Sequence, residues 1–446
     1  MEGLAPNLRR RSGVSVGSHA PGDSVTVRRS CAALVLLLIA IAGCAPSRPA
    51  SDVLPLAAPG HPAYDGTVTV EPDSHRLQAQ WRIRFVCSRA EADSATLLLN
   101  PGLRLSRLTG PEVLGFSRTA GDPDRITVQL GPAARADRES EIDLEYEGAP
   151  RFGSDSINNI GPRWVALGLD SFWQPVFDDF GQTIVGGARV VLPRGWEAAA
   201  SGVTGAGRTA HLVRNRLPLP DVAFSASPAF RVAEVGAIRV YHVGAPEAMV
   251  SRTLATTLAC ADYLNALFRA GPPLPPLSVV LAPRQGPGYA RKNYIVITAG
   301  ADTAEVPLLH FLCHEEAHYW ATGANASGPE HWLNEGLAEY LAGRAVRALA
   351  GAEAYGRVVA HWERGATGQP FVWSDTATRR PEPRVAYAKA PYLLDVLERR
   401  IGPATMDTLL ARFLLRPERT TPALIEALRS VSDDGTTAWF RGELAR

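Results

Sequence analysis

The run His314-Glu315-Glu316-Ala317-His318, set in the apolar stretch 308–320, constrains this chain more than any other feature. The stretch has helical character, and residues four apart on a helix share a face. Both imidazoles can then grip one Zn²⁺, with Glu315 beside the bound water as general base. A catalytic zinc takes three protein ligands and keeps a fourth position open. The third ligand must come from another element, so the fold has to press a second segment against this helix.

Downstream stands His331-Trp332-Leu333-Asn334-Glu335-Gly336-Leu337-Ala338-Glu339-Tyr340. With the preceding His-Glu-x-x-His-x-Trp, this segment resembles the aminopeptidase N family of zinc metallopeptidases, which are gluzincins. The resemblance implies that Glu335 is the third zinc ligand and that Trp320 matches the family's aromatic residue after the second His. Sixteen residues, 319–334, separate His318 from Glu335, a little fewer than is usual. The shortening falls in the loop 323–329, and a loop can shorten without moving a ligand if the next helix docks in the same place. Glu339 is the rival ligand. It otherwise reads as a solvated helix residue, or as a partner orienting an imidazole N–H. Glu316 and His331 read as exposed helix residues, and His310, one turn before His314, as packing or as a partner behind the ligands.

A second match is Val385-Ala386-Tyr387-Ala388-Lys389-Ala390, leading into an apolar helix that ends at Arg399-Arg400-Ile401-Gly402. The family places a Tyr here that donates a hydrogen bond to the oxyanion, and the matching residue is Tyr387. A third segment departs from the pattern. The family's exopeptidases carry a Glu that binds the substrate's free amine, and Lys292 of Arg291-Lys292-Asn293 stands at that position. A cation repels an ammonium, so N-acetylated or internal-bond peptides are expected to be cleaved at least as well as free ones. Glu305 or Asp302, just after the strand, is the alternative anchor.

The resemblance covers about residues 65–430. It implies an α+β fold: an N-terminal antiparallel β domain, then a gluzincin (thermolysin-like) α/β catalytic domain ending in a helical bundle. The chain's own patterning agrees. Short alternating runs with turn residues fill 65–235. A helix pattern spans 246–269, strands fall at 277–281 and 293–298, and helical segments follow at 304–321, 330–349, 352–365, 386–400, 403–414 and 421–430. The expected divisions are 1–43, 44–63, 64–235 and 236–446.

Export is expected. Arg28-Arg29 precede an apolar run of twelve residues, 31–42, too short to span a bilayer but right for a signal peptide. Ile41-Ala42-Gly43-Cys44 resembles a bacterial lipobox, which makes Cys44 a lipidation site and the following stretch, rich in Pro, Ala and Ser, a tether. The protein would then sit in the cell envelope, outside the cytoplasm, anchored to a membrane by lipid. Cys87, Cys260 and Cys313 remain. They imply no disulfide framework and read as buried thiols, with room for one bridge. The formal net charge of +1 gives no electrostatic case for nucleic-acid binding.

These readings converge on a lipid-anchored zinc peptidase acting on peptides or proteins. The ligands are His314, His318 and Glu335, the base Glu315 and the oxyanion donor Tyr387. A peptidase-like scaffold without turnover, or a hydrolase of a non-peptide amide or ester, are the alternatives.

Overall fold

Residue alternation builds the first half of the molecule. Along the strand Arg76–Val86, the side chains of Leu77, Ala79, Trp81, Ile83 and Phe85 turn inward while their neighbours face solvent, the period of two that one buried face requires. The computed structural model describes residues 61–446 apart from 87–92, 133, 135–137, 154–156, 179–182, 205–208 and 299–302. Cys44, Cys87 and Asp302 lie outside the described residues.

Three β-sheets occupy the region up to Ser227. The largest runs Val203–Thr204, Ala210–Leu219, Ile184–Val191, Ala63–Glu71, Arg76–Val86, Glu139–Gly148, Leu103–Thr109. Its pairings are antiparallel except Ala63–Glu71 with Ile184–Val191, which run parallel with Tyr64 opposite Gly186. Two four-stranded sheets pack with it around one core that includes Trp81, Tyr146 and Trp173. The Trp81 Nε1–H donates to the Tyr146 hydroxyl at 2.8 Å, which donates onward to the Trp173 carbonyl at 2.7 Å, so the polar tips of Trp81 and Tyr146 are buried with partners, while the Trp173 Nε1–H has none among the described residues.

The second half is a mixed five-stranded sheet backed by helices. Its order is Arg231–Val235, Ile238–His242, Leu277–Leu281, Tyr294–Ile297, Tyr289–Arg291. The three central strands are parallel and the two edges antiparallel. Such centres are covered on both faces and read as continuous apolar runs; Tyr294–Ile297 is buried throughout. The helices are α1 (Glu247–Leu267), α2 (Glu305–Ala317), α3 (His331–Ala366), α4 (Ala390–Ile401), α5 (Pro403–Leu414), α6 (Thr421–Arg429) and α7 (Asp434–Leu444). The order of an antiparallel β-rich region followed by a mixed sheet and helices is the α+β architecture expected.

Three details differ from the sequence expectation. First, α7 was not anticipated. Gly435 and two threonines weaken its propensity, while the Asp433 side chain caps it by accepting from the Thr436 N–H at 2.7 Å. Second, residues 385–389 form a π-helical turn ahead of α4. Third, Cys260 of α1 and Cys313 of α2 are joined in a disulfide with their Cα atoms 5.2 Å apart, where buried thiols were expected. The pairing depends on α1 docking beside α2, which the spacing of the cysteines does not reveal.

Helix α3 is broken at Gly351, whose φ of 89° and ψ of 171° are non-helical, so the separate patterns 330–349 and 352–365 correspond to its two arms. A straight helix would hold Glu339 and Trp362 about 35 Å apart. They are hydrogen-bonded instead, so the chain doubles back at the break.

Candidate metal centre

The segment 331–336 distributes its residues by face. Trp332 is fully buried and its Nε1–H donates to Thr421 Oγ1 at 2.9 Å. The Asn334 carboxamide brackets Ala324, donating to its carbonyl and accepting from its N–H, both at 3.0 Å. This clamp holds the loop that joins α2 to α3. Glu335 faces α2. Gly336 lies against the next layer, where a Cβ would come within 2.8 Å of Ala390 Cβ. Its bareness lets the π-helical turn and α4 approach, and that turn carries Tyr387.

The structure brings His314, His318 and Glu335 together as a group able to hold a metal ion. The two Nε2 atoms are 3.2 Å apart, and Glu335 Oε2 is 3.5 Å from His314 Nε2 and 3.4 Å from His318 Nε2. Tetrahedral ligands of a zinc ion lie about 3.3 Å from one another, given zinc–ligand bonds of about 2.0–2.1 Å. The donor triangle therefore fits zinc without rearrangement. The outer ring nitrogens are engaged as well. His314 Nδ1 is 3.0 Å from Glu339 Oε2, and His318 Nδ1 is 3.3 Å from the Ala321 carbonyl. Both partners are acceptors, so each Nδ1 carries the proton and each Nε2 presents a lone pair inward.

Glu339 is thus neither solvated nor part of the triangle. Its Oε1 accepts from Trp362 Nε1 at 2.9 Å and lies 3.3 Å from His310 Nε2. Burial works against its charge, but His310, His314 and Trp362 outweigh that and lower its pKa to about 2. Glu335 behaves alike: burial opposes ionisation, and His318 and His314 hold the carboxyl well below the usual range.

Glu315 is 5% exposed. Burial raises its pKa, with the His314 and His318 imidazoles pulling the other way and Arg291 near enough to contribute. A carboxylate raised in this way is a better proton acceptor than one in water. The Tyr387 ring lies over His314, with centroids 5.9 Å apart and planes 22° from parallel. Tyr387 is 40% exposed; the partial burial of its hydroxyl end, then the Glu335 charge, raise its pKa above the ordinary value, so it remains a donor.

Glu316 and His331 were expected on solvated faces, and both are buried. Helix α2 is enclosed from Leu312 to Ala317, so it has no wet face there. Burial, then Asp262, push the Glu316 carboxyl well above its ordinary pKa, and its oxygens have no hydrogen-bond partner among the described residues. His331 Nε2 is 3.7 Å from Glu335 Oε1.

Lys292 does not face the triangle. It occupies the turn between the last two strands with φ of 59°, and its ammonium donates to the Tyr319 carbonyl at 3.2 Å and Thr322 Oγ1 at 2.6 Å, at the end of α2. Burial, then Arg419, lower its pKa to about 8. Arg291 is the cation near Glu315 instead. Its guanidinium grips Asp221 through two hydrogen bonds, 2.5 and 3.0 Å. No sequence signal joined these residues, seventy positions apart. Glu305 is exposed at the start of α2.

No protein-family model and no curated protein matches the sequence. Solved structures match in shape. The M1 zinc metallopeptidase from Deinococcus radiodurans aligns with a TM-score of 0.65 and 20% identity, over 86% of this chain and 93% of that one. A mutant of it bound to the substrate Tyr-Ser-Ala aligns equally well, over 86% and 94%. A mutant two-domain M1 zinc metallopeptidase bound to L-tryptophan aligns with a TM-score of 0.63 and 19% identity, over 86% and 94%. The chain has the fold of the M1 zinc metallopeptidases.

Proposed function

We propose that this protein is a zinc-dependent peptidase that acts outside the cytoplasm. One observation carries the reading: the His314, His318 and Glu335 donor atoms form a triangle with zinc-sized edges, flanked by a buried carboxylate and a tyrosine. A zinc ion held there would act as a Lewis acid, polarising a substrate carbonyl and easing loss of a proton from water. The chain's own groups do the rest. Glu315 takes the proton of the attacking water and returns it to the leaving amine. Tyr387 donates to the carbonyl oxygen as negative charge gathers on it. Glu339 and the Ala321 carbonyl keep the imidazoles turned so that their lone pairs converge.

Arg291, rather than Lys292, is the cation near Glu315, and an amine end of the substrate lying on that side would meet it rather than a free carboxylate. Because Arg291 is already paired with Asp221, that wall offers no spare negative charge to an ammonium. This supports cleavage without a requirement for a free N-terminus. Export and lipid anchoring at Cys44 belong to the same proposal. The lipobox-like run supports them, as does a buried disulfide, a bond that persists in oxidising compartments. Among the described residues no helix is long and apolar enough to cross a membrane.

The deciding experiment is Glu315→Gln. Zinc content measured on the purified variant should match wild type, while turnover of a peptide falls by about 10²–10⁴, the usual worth of a general base. A fully active variant would refute the mechanism.

A further inference from the structure

A cavity of about 500 Å³ opens beside the metal centre and shares Tyr387 with it. Its wall comes from the second arm of α3, through His361 and Arg364, and from the approach to the π-helical turn, through Arg384. No carboxylate among the described residues lines it. Arg380 stands close enough for its charge to bear on both Tyr387 and His331. Elsewhere on the surface Arg82, Arg104, Arg125, Arg239 and Arg441 each lie against a carboxylate. The side chains of Arg364, Arg380 and Arg384 make no ion pair or hydrogen bond among the described residues. Unpaired guanidiniums gathered around a concavity repel one another, and an anion entering it would relieve that cost. The guanidinium fork suits a carboxylate, which it can hold through two parallel N–H bonds.

We propose that the pocket formed by His361, Arg364 and Arg384 beside Tyr387 binds a carboxylate of the substrate, so that the enzyme selects peptides bearing negative charge on that side of the cleaved bond. The inference rests on the peptidase reading for the identity of its ligand. The carboxylate can belong to the peptide's C-terminus or to an Asp or Glu side chain, and the pocket's chemistry serves both. It lies on the Tyr387 side of the centre, whereas Arg291 belongs to the edge strand near Glu315. The charge requirement is therefore separate from any effect of Arg291.

Two pairs of peptides sharing one cleavable sequence test this. One pair differs only in a free or amidated C-terminus, the other only in Glu or Gln next to the cleaved bond. The kcat/KM of the zinc-loaded wild type and the Kd for the zinc-loaded Glu315→Gln protein are measured for all four. The carboxylate member of at least one pair should be favoured by about fivefold or more, mostly through KM and Kd, a size expected of a partly exposed charge pair. The pair that shows the preference identifies the source. Added salt should shrink the ratio, and Arg364→Ala/Arg384→Ala should bring it close to one. Equal rates and equal Kd values within both pairs overturn the inference and leave the peptidase reading standing. Carboxylate-selective binding without cleavage of any peptide sustains the pocket and sinks the peptidase reading.

Discussion

Glu335 and Glu339 sit one turn apart on α3, yet their surroundings assign them different work. Glu335 presents Oε2 to both imidazole Nε2 atoms, whereas Glu339 reaches His314 at its outer nitrogen alone and is held by Trp362 and His310. Glu335→Ala should therefore abolish stable zinc binding. Glu339→Ala should weaken it by about 10–100-fold, the range for a group that orients a ligand. Zinc titration against a competing chelator checks both, and equal losses would refute the division. At the same scale, the cation near Glu315 is Arg291, paired with Asp221, so an ammonium on that side would meet positive charge. Matched free and N-acetylated peptides should be cleaved at comparable rates. A strong preference for the free amine would mean that another carboxylate reaches it.

At the scale of elements, the centre depends on how α1, α2 and α3 are tied together. The Cys260–Cys313 bond fixes α1 to α2 one residue before His314. It closes a loop of 53 residues, for which chain entropy alone gives about 4 kcal/mol, an upper value because native packing and residual structure reduce it. Cys260→Ala/Cys313→Ala should lower the unfolding free energy by about 2–4 kcal/mol in urea denaturation. An unchanged midpoint would show that helix packing alone positions the ligand helix. The break at Gly351 is the other device. It folds the second arm of α3 onto the first, bringing Trp362 to Glu339 and Arg364 to the cavity beside Tyr387.

At the scale of the whole molecule, the proposed attachment rests on the lipobox-like run that ends at Cys44. One acyl chain anchors marginally, and a three-chain modification anchors firmly. Cys44→Ser should release the protein from membranes and abolish labelling by a fatty-acid analogue. A variant that stays bound and labelled would place the anchor elsewhere.

Local order in the chain was enough to reveal the ligand helix, the segment bearing Glu335, the alternating strands and most of the helices. Each is written in residues a few positions apart, where a period of two or 3.6 decides which face is apolar. The same short range misled at Glu316 and His331, because a local pattern does not report whether a second layer covers a polar face. Tertiary packing alone decided the remainder. Glu339 meets Trp362 across the reversal at Gly351, Cys260 meets Cys313 across the α1–α2 contact, and Arg291 on the edge strand meets Asp221 in the loop ahead of Phe224–Ser227. These contacts join positions that no local period links, so they arise only when burial of the apolar faces has already docked the elements, and with them come the bracing of the His314 imidazole and the charge beside Glu315.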